Sequence, residues 1–188
     1  MRNVLKKYDK HLALILAAVT VALILLVCLH DDWRHALFLR HRNPISWYIR
    51  PLLLIPYCCA AWRRTYSGIM ATLLLLLSSM AWFPAPDAAA VANNTFLAWE
   101  EQLLGGSNPT LLIALTLLIP ACLALLAVAF WRRSLRSGIL CLILIAAAKI
   151  TGSIHLAGAS GKSIILPALT GLIACVAALS LLRRPPSS

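Results

Sequence analysis

The sequence predicts an all-α membrane protein with six transmembrane helices and one external amphipathic helix between helices 3 and 4. Composition is the first reason: 61% of the 188 residues are hydrophobic, 12% are charged, and the mean hydropathy is +0.85. A soluble domain of this length needs more polar residues to cover its surface. The second reason is that the apolar residues form long runs separated by short basic segments. We therefore interpret residues 1–188 as one integral membrane domain.

Six apolar runs have the length of transmembrane helices. Roughly 20 residues, at about 1.5 Å per residue, cross a hydrocarbon layer of about 30 Å. The runs are residues 12–29, 45–62, 67–84, 110–131, 138–157 and 164–182. The first run follows a basic segment and lacks a small-residue cleavage site, so we expect a retained anchor instead of a removed signal peptide.

Two segments outside these runs are longer than turns. Residues 30–44 mix charged and apolar residues, which is typical of an interfacial helix, and Asn43 followed by proline marks the start of the next helix. In residues 84–109, Asp87 is a predicted helix cap. Three apolar residues then recur at helical spacing: Phe96, Trp99 and Leu103. We expect this helix to lie on the outer membrane face or over the mouth of the bundle.

Basic residues are unevenly divided between the two sides of the predicted membrane. Eleven Lys and Arg residues, Arg184 among them, fall on the side of the N-terminus and five fall on the other side. Such an excess is typical of cytoplasmic loops. The sequence therefore predicts a multi-pass protein with both termini in the cytoplasm. Short loops and small size favour the bacterial inner membrane.

Two similar segments, "AWRRTYSGI" at 61–69 and "FWRRSLRSGI" at 130–139, follow the related strings "LLIPYC" and "LLIPAC". This pattern indicates a repeated helical hairpin, residues 45–84 and 110–157, as found in some transporter folds. The alternative is independent origin, because membrane helices tolerate proline and inner helix ends attract Trp and Arg.

Lys149 is the strongest candidate for a binding residue. It lies about 16 Å along the fifth predicted span, near the bilayer middle, where ionisable side chains mark ion or substrate sites. The alternative is a structural lysine that bonds to backbone carbonyls and extends its ammonium outward. Ser153 lies one turn further on the same helix face, and His155, also a candidate, points elsewhere.

Arg50 is the second candidate, about 9 Å inside the second predicted span. Pro51 and Pro56 free backbone carbonyls nearby, so we expect a kink and a polar notch at this point. The alternative is an arginine that reaches the outer headgroups beside Trp47 and Tyr48.

Two other patterns are weaker evidence, one for a metal site and one for a protease site. The outer segment offers four residues of metal-ligand type, which are His30, Asp31, Asp32 and His35, but their spacing matches no zinc motif. "GASG" at 158–161 is similar to the Gly-x-Ser-Gly of rhomboid proteases, yet no histidine follows Ser160 to act as the base. We therefore predict neither a metal site nor this protease chemistry.

These features favour binding or transport of a small molecule, ion or lipid within the bundle, without a cofactor. Six helices in 188 residues is similar to the substrate-capturing components of vitamin transporters. One alternative is a non-catalytic accessory or assembly subunit of a larger membrane complex, and another is a lipid-modifying enzyme. We expect membrane lipids as partners, with a larger complex or a homo-oligomer as options. Nucleic acid is excluded because the basic residues do not form one polar face.

Overall fold

The computed structural model describes residues 2–86 and 95–183, which form helices and contain no strands. In these described ranges the α-helices, in chain order, are α1 (Arg2–Leu29), α2 (Asp31–His41), α3 (Pro44–Leu52), α4 (Leu54–Trp62), α5 (Tyr66–Ser78), α6 (Thr95–Leu104), α7 (Pro109–Trp131), α8 (Leu135–Ala157) and α9 (Ile165–Ser180). Short 3-10 turns follow α5, α8 and α9 at Ser79–Ala81, Gly158–Ile164 and Leu181–Arg183. Asp87 and Arg184 lie outside the described residues.

Four helical segments are long and apolar enough to cross a membrane: Lys7–Leu29, Pro109–Trp131, Leu135–Ala157 and Gly161–Ser180. The all-helical character predicted from the sequence is confirmed for the described residues, and these four helices are compatible with a membrane protein. The predicted span 45–62 is divided between α3 and α4. The predicted span 67–84 is shorter than expected, because regular helix in that region ends with the 3-10 turn at Ala81.

The division between α3 and α4 lies at Leu53 and follows from two prolines. Pro51 and Pro56 have no backbone N–H, and each ring clashes with a carbonyl of the preceding turn. Leu53 forms a turn between the helices, with its N–H bonded to the carbonyls of Ile49 and Arg50. The regular helix is therefore interrupted three residues after Arg50, close to the predicted kink.

The two Trp-Arg-Arg segments form the same turn. Arg64 and Arg133 are the two non-glycine residues with positive φ in the described chain, at 58° and 56°. In both turns the arginine N–H donates to the carbonyl of the residue three positions earlier, at 2.9 Å. The N–H of the next residue, Thr65 or Ser134, donates to the carbonyl of the residue five positions earlier, at 3.1 Å. This is the Schellman arrangement that ends a helix, so the sequence similarity corresponds to one repeated helix–turn–helix geometry.

These two turns lie side by side at one end of the bundle. The Nε of Arg64 donates to the carbonyl of Trp131 at 3.1 Å, and the rings of Tyr66 and Trp131 lie 4.7 Å apart. Asp9 of α1 accepts hydrogen bonds from the N–H groups of Tyr66 and Ser67. The basic N-terminal segment and both arginine-rich turns therefore share this end, which we call the basic end.

Two buried clusters stabilise the bundle. At the basic end, α4 packs between α5, α7 and α9, with Cys58, Leu126 and Phe130 fully buried. At the opposite end, α2 and α6 enclose Phe38, Phe96 and Leu97. Helix α1 packs on α5, outside the first cluster. The space between the two clusters is incompletely filled, and this positions the site described next.

Candidate functional site

A cavity of about 320 Å³ lies between α3, α4, α8 and α9, beneath α6. Its polar end carries four ionisable side chains, which are His41, Arg50, Glu100 and Lys149. Its other end is apolar and is lined mainly by Leu54, Leu142, Ile145, Leu172 and Cys175. Lys149 and Leu142 are separated by about 10 Å along α8. The cavity thus has the mixed lining of a small-molecule site, mostly apolar with a few converging polar groups.

Arg50 is fixed at the polar end by a chain of hydrogen bonds. Its Nη1 lies 2.8 Å from Nε2 of His41. Arginine has only donors, so Nε2 accepts and the His41 proton lies on Nδ1. That proton is donated to Oγ of Ser46 at 3.0 Å. The Ser46 hydroxyl in turn donates to the carbonyl of Asn43 at 2.8 Å. Every member of this chain has a partner, so the guanidinium is held in one orientation.

His41 is well suited to this role because it stays uncharged. The residue is 4% exposed, at the C-terminal end of α2. Burial lowers its pKa to about 3, and the positive charges of Arg50 and Lys149 act in the same direction. Its backbone carbonyl accepts from Nε1 of Trp47 at 2.9 Å. A neutral imidazole can therefore accept from Arg50 across the ordinary pH range.

Lys149 lies at the polar end but is paired. Its Nζ lies 2.9 Å from Oε1 of Glu100 and 5.2 Å from the ring centroid of Phe96. The lysine side chain is 51% exposed and the glutamate 24%. Partial exposure limits the strength of the ion pair, because solvent screens it. The contact nevertheless joins α6 to α8 directly above the cavity.

Glu101, the next residue of α6, points toward α2. Its Oε1 lies 2.8 Å from Nδ1 of His35, and its Oε2 lies 3.7 Å from Nη2 of Arg42. Adjacent carboxylates of one helix therefore contact two different elements, α8 through Glu100 and α2 through Glu101. Together with buried Phe96, they fix α6 as a cover over the cavity.

The structure brings together two of the four predicted binding residues. Lys149 and Arg50 both line the cavity. Arg50 turns toward His41 instead of standing free beside Tyr48. Ser153 is buried, and His155 is exposed; both lie outside the cavity lining.

The weak metal candidates do not converge. His30, Asp31 and Asp32 are exposed, with Asp31 paired to Arg34 at 2.6 Å. Among the described residues, no group of three or more His, Cys, Asp or Glu side chains is placed to hold a metal ion. His35 is used in the contact with Glu101.

The "GASG" segment has a structural explanation. Gly158 has a φ of 59°, which starts the 3-10 turn after α8. A Cβ at Gly161 would collide with the backbone carbonyl of Ser153, so the turn folds tightly back on the helix. Gly158 thus supplies a positive φ and Gly161 a close backbone approach, and a side chain disfavours both.

Sequence reasoning missed Glu100 and His41 as members of the site. Glu100 lies in the segment predicted as an external helix, and nothing local distinguishes a solvated carboxylate from one that contacts a residue 49 positions away. His41 ends a charged segment in which several side chains are solvated. The one available signal was the spacing of Phe96 and Glu100, which places both on one face of α6.

Comparison of the chain with protein-family models, with curated proteins and with solved structures gave no significant match.

Proposed function

We propose that this is a bacterial inner-membrane protein that binds a small molecule within its helical bundle, either to carry it or to present it to a partner. The observation that carries the proposal is the cavity of about 320 Å³ between α3, α4, α8 and α9. Its volume is at the small end of the roughly 300–1,000 Å³ common among ligand sites. A compact or single-chain ligand therefore fits better than a two-chain phospholipid.

The distribution of polar groups supports a ligand over an unfilled packing defect. Empty defects in protein interiors are lined by apolar side chains. Here Arg50 is oriented toward the cavity by a complete hydrogen-bond chain through His41 and Ser46. Ionisable residues at such depth are costly in a membrane protein and mark functional sites.

The proposed topology has six passes and both termini in the cytoplasm. Helices α3 and α4 together form the second pass, and α5 with its 3-10 turn forms the third, about 24 Å long. Such a short pass is accommodated by local thinning of the bilayer. The grouping of both Trp-Arg-Arg turns with the N-terminal segment at the basic end supports this topology, because cytoplasmic ends attract positive charge.

The first experiment is native mass spectrometry of the protein extracted gently from its own membrane. We expect a bound non-protein mass in the parent protein. The variant Ala146→Phe fills the cavity and should lose this mass, whereas Ala147→Phe, exposed on the same helix, should keep it. Both variants add the same side chain to α8, so a difference in bound mass between them shows that the ligand occupies the cavity.

Two results would contradict the proposal. Retention of the bound mass by Ala146→Phe would place the ligand elsewhere. A second polypeptide in fixed ratio, with no bound small molecule, would instead favour the accessory-subunit alternative.

A further inference from the structure

We infer that the ligand of this cavity is a single-chain amphiphile carrying one net negative charge, held by Arg50 through an oxyanion and by the apolar end through its chain. This inference rests on the proposed binding function and names the chemical class of the ligand. It follows from the charges at the polar end, from the shape of the cavity and from the donors that Arg50 leaves available.

The charge at the polar end fixes the charge of the ligand. His41 is neutral, since its Nε2 accepts from Arg50. Lys149 and Glu100 form an ion pair at 2.9 Å and contribute no net charge. Among the described residues, Arg50 has no carboxylate within ion-pair distance. The polar end therefore keeps one net positive charge, and a partly buried guanidinium of this kind is stabilised by a counter-charge.

The donors of Arg50 indicate an oxyanion. A guanidinium has five N–H groups in a planar fork, which matches the oxygens of a carboxylate or a phosphate. In the described part of the chain, the one hydrogen bond from this guanidinium to a protein acceptor uses Nη1 and goes to His41. The remaining donors are available to a ligand. Both oxyanion types present the same chemistry to this fork.

The shape of the cavity indicates the rest of the ligand. From Lys149 the lining continues about 10 Å along α8 to Leu142. Leu54 of α4 and Leu172 of α9 also line the apolar part. No ionisable side chain other than the thiol of Cys175 lines this part among the described residues. A medium-length hydrocarbon chain fits this space, and a second chain exceeds it.

Photolabelling with a diazirine-bearing decanoate tests the inference on the full-length protein in phosphatidylcholine nanodiscs. Peptide mapping should locate the adduct at the apolar end, on residues such as Leu54, Leu142 or Leu172. Decanoate and decyl methyl phosphate should both compete for labelling at least about tenfold better than decanol or decyltrimethylammonium, the difference expected for one charge-assisted hydrogen bond. Unequal competition by the two anions distinguishes a carboxylate from a phosphodiester ligand.

Variants provide a second test. Arg50→Gln should reduce cavity labelling about tenfold, whereas Arg63→Gln removes an exposed arginine at the basic end and should leave it unchanged. Glu100→Gln releases Lys149 from its partner and should increase labelling by the anionic probe. If Arg50→Gln does not fold, the competition series on the parent protein is sufficient to test whether the ligand is an anion.

The outcomes separate this inference from the proposed function. Cavity labelling that decanol blocks as well as decanoate overturns the anionic ligand and leaves small-molecule binding intact. Absence of cavity labelling with both photo-decanoate and photo-decanol overturns the single-chain ligand, and the binding function itself is overturned when the native mass spectrum also lacks a bound non-protein mass.

Discussion

Stability should fall at mildly acid pH because His41 is buried as a neutral base. The unfolded chain binds a proton on this residue near pH 6.5, whereas the folded protein does so only near pH 3. Between these values the unfolded state holds one more proton, so the free energy of unfolding decreases as the pH falls. From pH 7 to pH 5 the linkage relation gives about 2 kcal/mol. For a chain of this size that corresponds to a lower Tm by roughly 4–8 °C.

Thermal unfolding followed by intrinsic tryptophan fluorescence measures this effect. The parent protein, His41→Asn and His30→Asn are compared in detergent at pH 7 and pH 5. His30 is exposed, so His30→Asn should keep the full pH dependence. His41→Asn should be less stable at pH 7, since Arg50 loses its imidazole acceptor, but its Tm should change less with pH. An equal pH dependence in parent and His41→Asn would refute a buried neutral imidazole.

The repeated turn and the proposed topology each give a further prediction. Arg133→Gly should raise the free energy of unfolding by about 0.5–1 kcal/mol, because glycine adopts positive φ without strain. Arg64→Gly should raise the free energy of unfolding by less, because it also loses the hydrogen bond to the carbonyl of Trp131 at the end of α7. Unfolding followed by tryptophan fluorescence measures both variants, and equal increases would contradict this role for Arg64. In sealed membrane vesicles of opposite orientations, exposed cysteines introduced by Arg63→Cys and Ser107→Cys should react with an impermeant maleimide from opposite sides. Labelling from the same side would exclude the six-pass topology.

Local signals in the sequence predicted local structure well. Asn43 accepts a hydrogen bond from the N–H of Ile45 at 3.1 Å, so the predicted helix start is confirmed. The long runs 110–131 and 138–157 correspond closely to α7 and α8. These features depend on neighbouring residues alone, namely caps, prolines and continuous apolar composition.

The parts that depend on distant residues were beyond sequence reasoning. The ends of α3 and α4 follow from prolines, but the direction of Arg50 depends on where α2 places His41. Likewise, the pairing of Glu100 with Lys149 requires α6 to fold over α8. A single sequence contains the charges of such a site without their distances. It therefore identified two of the cavity's ionisable residues but not their partners, His41 and Glu100.

The hydrogen-bond chain from Arg50 to the backbone of Asn43 also has a consequence for binding kinetics. A side chain that is already held in one rotamer loses little entropy when a ligand arrives, so the encounter needs no rearrangement of the anchor. On the proposed function, a ligand that enters between α6 and α8 has to separate the contact between Glu100 and Lys149, and movements of such covering helices take microseconds to milliseconds. Ligands of different affinity should therefore associate at similar rates and differ mainly in how long they stay.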